Sequence, residues 1–426
     1  MDYDVIILGA GAGGYKAAVH LLKNKKKVLM VEKEKFGGEC LNYGCIPSKA
    51  LIEMSESIYY LKNMPGVSID YKIDMNAWQE WKNKMVSKIT GNAEGQCRAL
   101  GADIIYGFGT IKDENTLNVN GKDYTAENII IDTGSVPARI PGIDNVYYNR
   151  EILGIDHVPE SIAVIGGGYI GVEIGTAMAK LGSKVYIIEA KDRILPEVNE
   201  ELSKAVDKKL RSLGINIMTS SKVLSVSKDN YYKVKTENGE ISSEIVLMSV
   251  GRIPNTKDIG LENVKIEMDG RFIKTDNHRR TSVKNIYAIG DVTTGPMLAH
   301  KAFYDAYVAA ENIIGNDVIV DYKAMPYVIY TDPEISFTGY VSKNSKKIMT
   351  SAVPRALTMN DSDGFFRIYY DDDGTVTGAA IAAPRSSEII TEVSLAVESY
   401  LNIKDLLLTV HPHPTIAEGI HDDFEN

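Results

Sequence analysis

The chain opens with Val5-Ile6-Ile7-Leu8-Gly9-Ala10-Gly11-Ala12-Gly13-Gly14, a four-residue apolar run that leads into a glycine-rich loop. The pattern predicts a short buried strand, a helix from the loop to about Lys25, and a second strand over Lys27–Glu32. Elements in this order form a βαβ unit. The amino terminus is therefore predicted to be a βαβ unit with the glycine-rich loop at its first turn.

The glycines of this loop have the spacing Gly-x-Gly-x-x-Gly, and each has a physical role. Gly9 makes the tight turn, Gly11 lets backbone N–H groups approach a pyrophosphate, and Gly14 lets helix and strand lie close together. Glu32 ends the second strand and can accept a hydrogen bond from a ribose hydroxyl. The loop alone is a weak signal, but together with its flanking strand, helix and acid it predicts a dinucleotide site.

The same pattern recurs in the middle of the chain. A strand over Ser161–Ile165 leads into the loop Gly166-Gly167-Gly168-Tyr169-Ile170-Gly171, a helix to about Leu181 and a strand over Lys184–Glu189. The alternative is that both loops are merely tight turns. The repetition favours two dinucleotide sites in one chain.

Two of the three cysteines lie close together in the run GGECLNYGCIPSK, from Gly37 to Lys49. Four residues separate Cys40 from Cys45, and so close a pair in a cysteine-poor chain is typical of redox thiols. The pair could instead be buried small residues or zinc ligands, although no second Cys or His pair stands at ligand spacing. Thiols beside a nucleotide-bound cofactor favour electron exchange between a disulfide and that cofactor. Cys97, on a charged helical stretch, is interpreted as structural.

Length and composition set the broad class. With 426 residues, 44% hydrophobic and 24% charged, the chain is expected to form two to four globular domains. Its net charge of −10 argues against a nucleic-acid partner, and no apolar run approaches the length of a membrane span. Because a strand pattern begins at Val5, no targeting peptide is expected, and the cytoplasm is the expected location, with an already trimmed organellar form as the alternative.

The remaining segments complete the predicted organisation. A charged helix covers Trp78 to about Ala99, short strands follow from Ile104 to Ile131, and Ile286–Asp291 is predicted to lead from a strand into a helix. From about Met325 the pattern changes to alternating strands and a helix over Ser386–Leu401. This change indicates a separate domain with an antiparallel sheet.

Motifs along nearly the whole chain are similar to those of one enzyme family. Besides the two loops and the cysteine run they are Thr133-Gly134-Ser135, Gly251-Arg252-Ile253-Pro254-Asn255, Gly290-Asp291, Met297-Leu298-Ala299-His300-Lys301 and His411-Pro412-His413-Pro414-Thr415-Ile416-Ala417-Glu418. The chain resembles the FAD-dependent pyridine nucleotide-disulfide oxidoreductases, most closely the branch that oxidises dihydrolipoamide with NAD. The resemblance runs from Val5 to Glu418.

The resemblance implies an α/β fold with two Rossmann-like dinucleotide-binding domains, for FAD and NAD, and a C-terminal α+β dimerisation domain. The implied boundaries are 1–143 for the first part of the FAD domain, 144–273 for the NAD domain, 274–324 for a return to the FAD domain, and 325–426 for the interface domain. The protein is accordingly expected to be a homodimer whose active site is shared between subunits.

The resemblance also implies roles for the residues around the disulfide. Cys45 is expected to lie nearer the flavin and to donate charge to it as a thiolate, whereas Cys40 exchanges with the dithiol substrate. Lys49 is expected beside the flavin, paired with Glu173, where its charge stabilises the reduced flavin. Asp291 is expected to hold the FAD ribitol.

His413 is the expected general base, with Glu418 holding its other ring nitrogen. Such a base would take the proton of the incoming thiol and keep it beside the Cys40 thiolate. His411 and His421 lie nearby, so a metal site is a competing interpretation, but the prolines break helical ligand spacing and no metal is expected.

The cofactor contacts implied by the resemblance form two sets. For FAD they are Gly9, Gly11, Gly14, Glu32, Lys33, Gly38, Lys49, Gly109, Thr133, Gly134, Ser135, Asp291, Met297, Leu298, Ala299 and His300. For NAD they are Gly166, Gly168, Tyr169, Ile170, Gly171, Glu173, Glu189, Val223 and Gly251. Glu189 favours NAD over NADP because a carboxylate accepts from the ribose 2′-OH but repels a 2′-phosphate, although Lys191 weakens this preference.

Four places depart from the family pattern. Glu39 stands where the family usually has Thr, and Asp132 stands where it usually has Ala. Residues 303–307 lack the usual acidic run, and between Gly339 and Pro354 a helix of about a dozen residues is expected to be missing. The interface domain is therefore expected to be trimmed.

The expected reaction is oxidation of dihydrolipoamide, free or on the lipoyl protein of a 2-oxo acid dehydrogenase or glycine cleavage complex. Electrons would pass through the Cys40–Cys45 disulfide and FAD to NAD. One alternative is an NAD(P)H-dependent reductase of another low-molecular-weight disulfide. The other is a non-catalytic flavoprotein subunit or diaphorase.

Overall fold

The computed structural model describes residues 1–421, so the last five residues of the expected 325–426 domain lie outside the described part. Its strands are β1 (Tyr3–Leu8), β2 (Val28–Glu32), β3 (Asp103–Tyr106), β4 (Gly109–Asp113), β5 (Thr116–Val119), β6 (Lys122–Ile131), β7 (Ser135–Pro137), β8 (Ser161–Ile165), β9 (Lys184–Ile188), β10 (Asn216–Met218), β11 (Val223–Lys228), β12 (Tyr232–Thr236), β13 (Gly239–Ser243), β14 (Ile245–Met248), β15 (Arg252–Pro254), β16 (Met268–Asp269), β17 (Phe272–Ile273), β18 (Ile286–Ala288), β19 (Tyr327–Ile329), β20 (Ile335–Gly339), β21 (Asn344–Met349), β22 (Phe365–Tyr370) and β23 (Val376–Ala382). Its α-helices are α1 (Ala12–Lys23), α2 (Gly38–Tyr43), α3 (Cys45–Asn63), α4 (Met75–Ala99), α5 (Asn149–Ile152), α6 (Tyr169–Leu181), α7 (Glu200–Ser212), α8 (Ala299–Ile314), α9 (Pro354–Thr358), α10 (Ser386–Glu398) and α11 (Ile403–Leu408).

The chain forms two compact units, each assembled from separate segments. The first unit contains Met1–Ala50, Asn76–Ala138 and Gly251–Asp321, and the second contains Leu51–Met75, Arg139–Val250 and the chain from Tyr322 onward. The domain boundaries expected from the sequence, at residues 143, 273 and 324, remain a prediction. Within residues 1–421, no helix combines the length and the apolar character needed to cross a bilayer.

The first unit is built on a sheet with strand order β3-β2-β1-β6-β5-β4, and β18 also pairs with β6. Strand β1 lies parallel to both β2 and β6. Val5 and Ile7 face a buried cluster that includes residues of α1 and α8, whereas Ile6 and Leu8 face a second cluster that includes residues of β4 and β5. Because both faces of β1 are covered, the strand is a continuous apolar run rather than an alternating one.

The second unit repeats this architecture over its middle segment. Its parallel sheet has the order β10-β9-β8-β14, and every residue of β8 is buried. Strands β11, β12 and β13 form a separate antiparallel sheet. The C-terminal segment adds a five-stranded antiparallel sheet, β19-β20-β23-β22-β21, whose strand β23 is buried along its whole length. The predicted fold class, α/β with two dinucleotide-binding sheets and a C-terminal α+β domain, is confirmed.

The described segment between Gly339 and Pro354 contains no α-helix. It consists of β21 and a 3₁₀ turn over Thr350–Ala352. The helix α10 behind the sheet contributes Ile389, Ile390 and Val393 to one buried cluster with strand residues. The C-terminal sheet is thus covered by α10 on one side.

Two helices end earlier than the sequence predicts, and for the same reason. Helix α1 ends at Lys23 rather than about Lys25, and α10 ends at Glu398 rather than Leu401. In each, a residue with positive φ, Lys25 at 62° or Tyr400 at 54°, reverses the chain. The next amide then donates to a carbonyl five residues back, which closes the helix in a Schellman motif. The end was missed because the reversing residue is usually Gly and here is not.

Candidate active site

The first glycine-rich loop is a close-packed turn between β1 and α1. Gly9 has a φ of 109°, which only glycine adopts readily, and a Cβ there would lie 2.2 Å from the Asp132 carbonyl oxygen. A Cβ at Gly14 would lie 2.2 Å from the carbonyl oxygen of Gly9. The first glycine is therefore required by backbone contact with the residue that follows β6, and the third by backbone contact within the loop.

The acid at the end of β2 supports this loop. The two Glu32 carboxylate oxygens accept hydrogen bonds from the amides of Ala10 at 3.0 Å and Glu34 at 2.8 Å. In the described chain, the amides of Gly11, Ala12 and Gly13 donate to no protein acceptor. Adjacent free N–H groups at a helix N-terminus fit an anionic pyrophosphate, so the residues present suit a dinucleotide cofactor.

The second loop repeats the same construction. Gly166 has a φ of 104°, and a Cβ at Gly171 would lie 2.3 Å from the Gly166 carbonyl oxygen. The Glu189 carboxylate accepts from the amides of Gly167 at 2.7 Å and Lys191 at 2.8 Å, as Glu32 does in the first loop. Each carboxylate oxygen keeps a lone pair for a further donor such as a ribose hydroxyl. The two loops therefore match in backbone, acid and hydrogen bonding.

The two close cysteines form a disulfide, with their Cα atoms 4.7 Å apart. Cys40 lies in α2 and Cys45 is the first residue of α3. The segment leading to α2 lies against the first loop, since the Gly37 amide donates to the Ala10 carbonyl at 2.8 Å. A Cβ at Gly38 would lie 2.9 Å from the Gly11 Cα. The disulfide is thus carried on helices anchored at the first glycine-rich loop.

A chain of polar contacts runs from Glu39, the residue before Cys40, to Asp291, one of the residues expected to bind FAD. The Glu39 carboxylate lies 3.5 Å from the Arg252 guanidinium, which is almost fully buried. Arg252 donates to the Ser135 hydroxyl at 2.7 Å and to the Ser135 carbonyl at 2.8 Å. The Ser135 hydroxyl in turn donates to Asp291 at 2.5 Å. Arg252 therefore supplies a counter-charge to Glu39, one of the residues that depart from the family pattern.

Asp291 is presented by a turn that rests on buried charges. The Gly290 amide donates to Asp305 at 3.1 Å, and the Gly290 carbonyl accepts from Lys301 at 3.1 Å. Lys301 also pairs with Asp305 at 2.9 Å, and Arg279 lies 2.5 Å from the other Asp305 oxygen. Burial lowers the pKa of Lys301, whereas the Asp305 carboxylate opposes that shift. Asp305 and Arg279 were not predicted from the sequence, because no local signal marks them.

The C-terminal His and Glu lie in the second unit and are hydrogen-bonded as predicted. His413 Nδ1 lies 2.7 Å from Glu418, whose other oxygen accepts the Thr415 amide at 2.7 Å. Partial burial opposes the change, but these two hydrogen bonds hold the pKa of Glu418 below its usual value. The His413 side chain is 69% exposed and that of Glu418 only 12%. The carboxylate can thus fix a ring whose Nε2 remains accessible to an incoming thiol.

The other predicted residues are placed as follows. Thr133 donates to the Asn255 carbonyl at 2.7 Å, and the Asn255 amide donates to Gly134 at 2.9 Å. Glu173, in α6, accepts the Tyr330 amide at 2.9 Å. The rest are distributed between the two units: Lys33 after β2, Lys49 in α3, Gly109 buried in β4, Met297 and Leu298 before α8, Ala299 and His300 at its start, Gly168 before α6, Tyr169 and Ile170 at its start, Val223 at the start of β11 and Gly251 before β15.

The remaining candidate groups have structural partners. His411 lies 3.0 Å from Glu392 and 2.9 Å from the Thr409 carbonyl. Cys97 is fully buried, and burial raises the pKa of its thiol to about 11. Within residues 1–421, no group of three or more His, Cys, Asp and Glu side chains is placed to hold a metal ion.

Comparisons with known proteins place this geometry in a family. The sequence profile described as pyridine nucleotide-disulphide oxidoreductase matches residues 3–306, and that of its dimerisation domain matches residues 325–424. The chain is 39% identical to a dihydrolipoyl dehydrogenase of Geobacillus stearothermophilus, over 98% of this chain and 94% of that protein. It is 38% identical to one of Haloferax volcanii, over 99% and 96%.

Solved structures agree with the sequence relatives. The HOCl-induced flavoprotein disulfide reductase RclA from Escherichia coli superposes with a TM-score of 0.89 at 26% identity, covering 98% of both chains. LpdA from Mycobacterium tuberculosis superposes with a TM-score of 0.92 at 23% identity, covering 98% of this chain and 97% of that one, and supports the fold alone. The chain therefore belongs to the pyridine nucleotide-disulphide oxidoreductase family.

Proposed function

We propose that the protein oxidises dihydrolipoyl groups with NAD, through the Cys40–Cys45 disulfide and FAD. The observation that carries the proposal is the disulfide itself, held on helices that are anchored at the first glycine-rich loop. The 39% identity to a dihydrolipoyl dehydrogenase supports the choice of substrate. The family binds FAD and NAD, and the free amides of Gly11, Ala12 and Gly13 suit the FAD pyrophosphate.

The exchange of thiols and disulfides needs no reactant other than the dihydrolipoyl group and the Cys40–Cys45 disulfide. A dihydrolipoyl thiolate attacks Cys40, which breaks the Cys40–Cys45 bond and forms a mixed disulfide, with Cys45 leaving as a thiolate. The second dihydrolipoyl thiol then displaces Cys40 and closes the lipoyl disulfide. Two electrons and two protons have left the substrate, and the chain holds a reduced cysteine pair. FAD, when bound, supplies the acceptor that passes these two electrons to NAD.

We propose His413 as the group that takes the substrate proton. The Glu418 hydrogen bond to Nδ1 fixes the ring and stabilises the imidazolium that forms. The match of residues 325–424 to a dimerisation domain supports a homodimer. We further propose that His413 from one copy of the chain serves the disulfide of a second copy, so that the dimer is the active unit. A lipoyl-bearing protein is the proposed substrate carrier, and the cytoplasm stays the predicted location.

The electrostatic roles of three further residues belong to the same proposal. Glu189 would accept from the NAD ribose 2′-OH, since its carboxylate retains lone pairs after bonding two loop amides. Lys49, paired with Glu173, would place a positive charge beside the reduced flavin. The whole set of FAD and NAD contacts named from the sequence is proposed on the same basis.

A reductase of another disulfide is the second candidate, because RclA from Escherichia coli, a flavoprotein disulfide reductase, superposes at 26% identity. The test is anaerobic mixing of the holoprotein with dihydrolipoamide and NAD, followed by full absorbance spectra over time. NADH formation through a transient long-wavelength thiolate–flavin band is expected, and Cys45→Ser should abolish turnover while FAD remains bound. A flavin that stays oxidised would overturn the lipoyl assignment. Flavin reduction without NADH would instead overturn the choice of NAD.

A further inference from the structure

The residue that follows β6, Asp132, lies inside the first cofactor loop. Its side chain is 6% exposed, and its Oδ2 accepts the Gly14 amide at 2.6 Å. Gly11 stands at the N-cap of α1 and has no side chain with which to cap it. Asp132 therefore performs the capping role from a position 118 residues along the chain from Gly14.

The same carboxyl touches both segments that are proposed to hold FAD. A Cβ at Gly13 would lie 2.8 Å from Asp132 Oδ1, and one at Gly11 would lie 3.3 Å from Oδ2. On the other side, a Cβ at Gly290 would lie 2.9 Å from Oδ1. The carboxyl thus fills the space between the glycine-rich loop and the turn that presents Asp291.

The charged groups around Asp132 are mostly acidic. Asp291, Glu32 and Asp305 all act on it, although Asp305 is itself balanced by Lys301 and Arg279. Burial is the main cause that raises the pKa of Asp132 well above its usual value, and the neighbouring acids add to it, whereas the Gly14 hydrogen bond opposes them. An ionised carboxylate at this position would meet the phosphates of a bound dinucleotide as a like charge.

The second loop provides an internal comparison. Ser249 follows β14 as Asp132 follows β6, and its amide donates to the end of β8 at 2.8 Å just as the Asp132 amide donates to the end of β1 at 2.8 Å. The Ser249 hydroxyl lies 2.6 Å from a Cβ placed at Gly171, the counterpart of Gly14. A neutral side chain therefore suffices at this position to complete a loop of this construction.

We propose that Asp132 is a positioning residue of the FAD pyrophosphate site, and that the protein holds FAD tightly only while this carboxyl carries a proton. The inference rests on the proposed function, because it takes FAD as the ligand of the first loop. With its proton, the carboxyl caps α1 through Oδ2 and presents a neutral surface to the phosphates. Without it, a negative charge occupies the loop whose free amides attract the phosphates.

The test is release of FAD from the holoprotein as a function of pH. Dilution series at pH values from about 5 to about 9 give the dissociation constant from the fluorescence of free FAD. The constant is expected to rise at least about tenfold over this range, since each unit by which FAD raises the Asp132 pKa corresponds to a tenfold change. Asp132→Asn and Asp132→Ser should both flatten this dependence, the latter by copying the second loop.

Asp361→Asn is the matched control. Asp361 is a half-buried acid, whose pKa burial raises to about 6, and it belongs to the second unit. This variant should keep the wild-type pH dependence, whereas an equal flattening in Asp361→Asn would overturn the inference. So would an unchanged slope in Asp132→Asn or Asp132→Ser.

A measurement on the wild-type protein covers the case in which the variants fail to fold. Infrared spectra of the holoprotein should contain the carbonyl band of a protonated, buried carboxylic acid that is lost as the pH rises, in step with FAD release. FAD release without loss of any such band would overturn the inference. Failure of the proposed function looks different, because the bound flavin would then stay oxidised when the holoprotein is mixed with dihydrolipoamide and NAD, whatever the pH dependence of FAD release.

Discussion

Substituting Asp305 with Asn is expected to destabilise the first unit more than any surface change of the same size. Asp305 is fully buried and is the only carboxylate in the described chain within ion-pair distance of both Lys301 and Arg279. Lys301 is also fully buried, and the Arg279 side chain is 8% exposed. Asn keeps the shape but leaves two buried cations without their shared ion-pair partner. Breaking a buried pair in this way costs about 3–5 kcal/mol.

A second substitution separates the contribution of Lys301 to this free-energy cost from that of Arg279. Lys301→Met removes the hydrogen bonds to the Gly290 carbonyl and the Thr293 hydroxyl but leaves Asp305 paired with Arg279. Its cost should be smaller, about 1–3 kcal/mol, because the buried carboxylate keeps a partner. The double variant should cost less than the sum of the two, since the second change removes a cation that the first had stranded.

Urea unfolding of the holoprotein, followed by FAD release, measures these differences. With a slope of about 3 kcal/mol/M, Asp305→Asn should lower the midpoint by about 1–1.7 M. Glu200→Gln is the control, because Glu200 pairs with Lys204 at 2.6 Å while both side chains are mostly exposed, and it should not move the midpoint measurably. If Asp305→Asn behaves like Glu200→Gln, the reasoning that the buried charges hold the Gly290 turn is refuted.

Three further outcomes are expected. Gly14→Ala should yield protein without flavin, because its Cβ would lie 2.2 Å from the Gly9 carbonyl oxygen, whereas Gly175→Ala, whose Cβ would have its nearest neighbour at 3.5 Å, should keep FAD. The measurement is flavin content per chain, and flavin bound to Gly14→Ala would contradict the packing argument. His413→Gln should lower kcat for dihydrolipoamide by about 10²–10⁴-fold at unchanged flavin content, and a loss below tenfold would remove His413 from the proton transfer. Burial raises the pKa of Asp361 to about 6 in the folded protein, so the folded state binds its proton more tightly than the unfolded state, and stability falls as the pH rises from about 4 to about 6. The urea midpoint of Asp361→Asn should therefore exceed that of the wild type above pH 6 and match it near pH 4. A difference in midpoint that stays constant with pH would contradict the assignment.

The geometry of the two glycine-rich loops could be predicted from the sequence because their physics is local. A tight turn, a close helix and a terminal acid each demand one residue type at a fixed spacing, and Gly9, Gly14 and Glu32 stand at those positions. The helix ends at Lys23 and Glu398 were missed because the residues that reverse the chain after them, Lys25 and Tyr400, have a left-handed conformation that their residue types do not favour. The hydrogen bond between His413 and Glu418 was predictable because the two residues are only five positions apart in the sequence.

The support beneath the site could not be predicted, because it joins residues far apart in sequence. Arg279 and Asp305 are 26 positions apart in the printed chain and carry no motif, and the link from Arg252 to Ser135 spans 117 positions. Such pairs are defined by which strands become neighbours rather than by spacing. Sequence reasoning identifies the groups that meet a ligand, because ligands demand particular residue types, whereas the groups that hold them in place emerge only from the fold.

A comparison of the two loops shows which features every loop of this construction needs and which feature belongs to one loop only. Both need a first glycine of positive φ, a third glycine against its carbonyl oxygen, and a glutamate that accepts two loop amides. They differ at the residue that follows the neighbouring strand, Asp132 in one and Ser249 in the other. Since Ser249 completes its loop without a charge, the backbone does not require the carboxyl of Asp132. The carboxyl caps α1 through the Gly14 amide, but because a neutral residue completes the second loop, its acidity points to what the first loop binds, as proposed above.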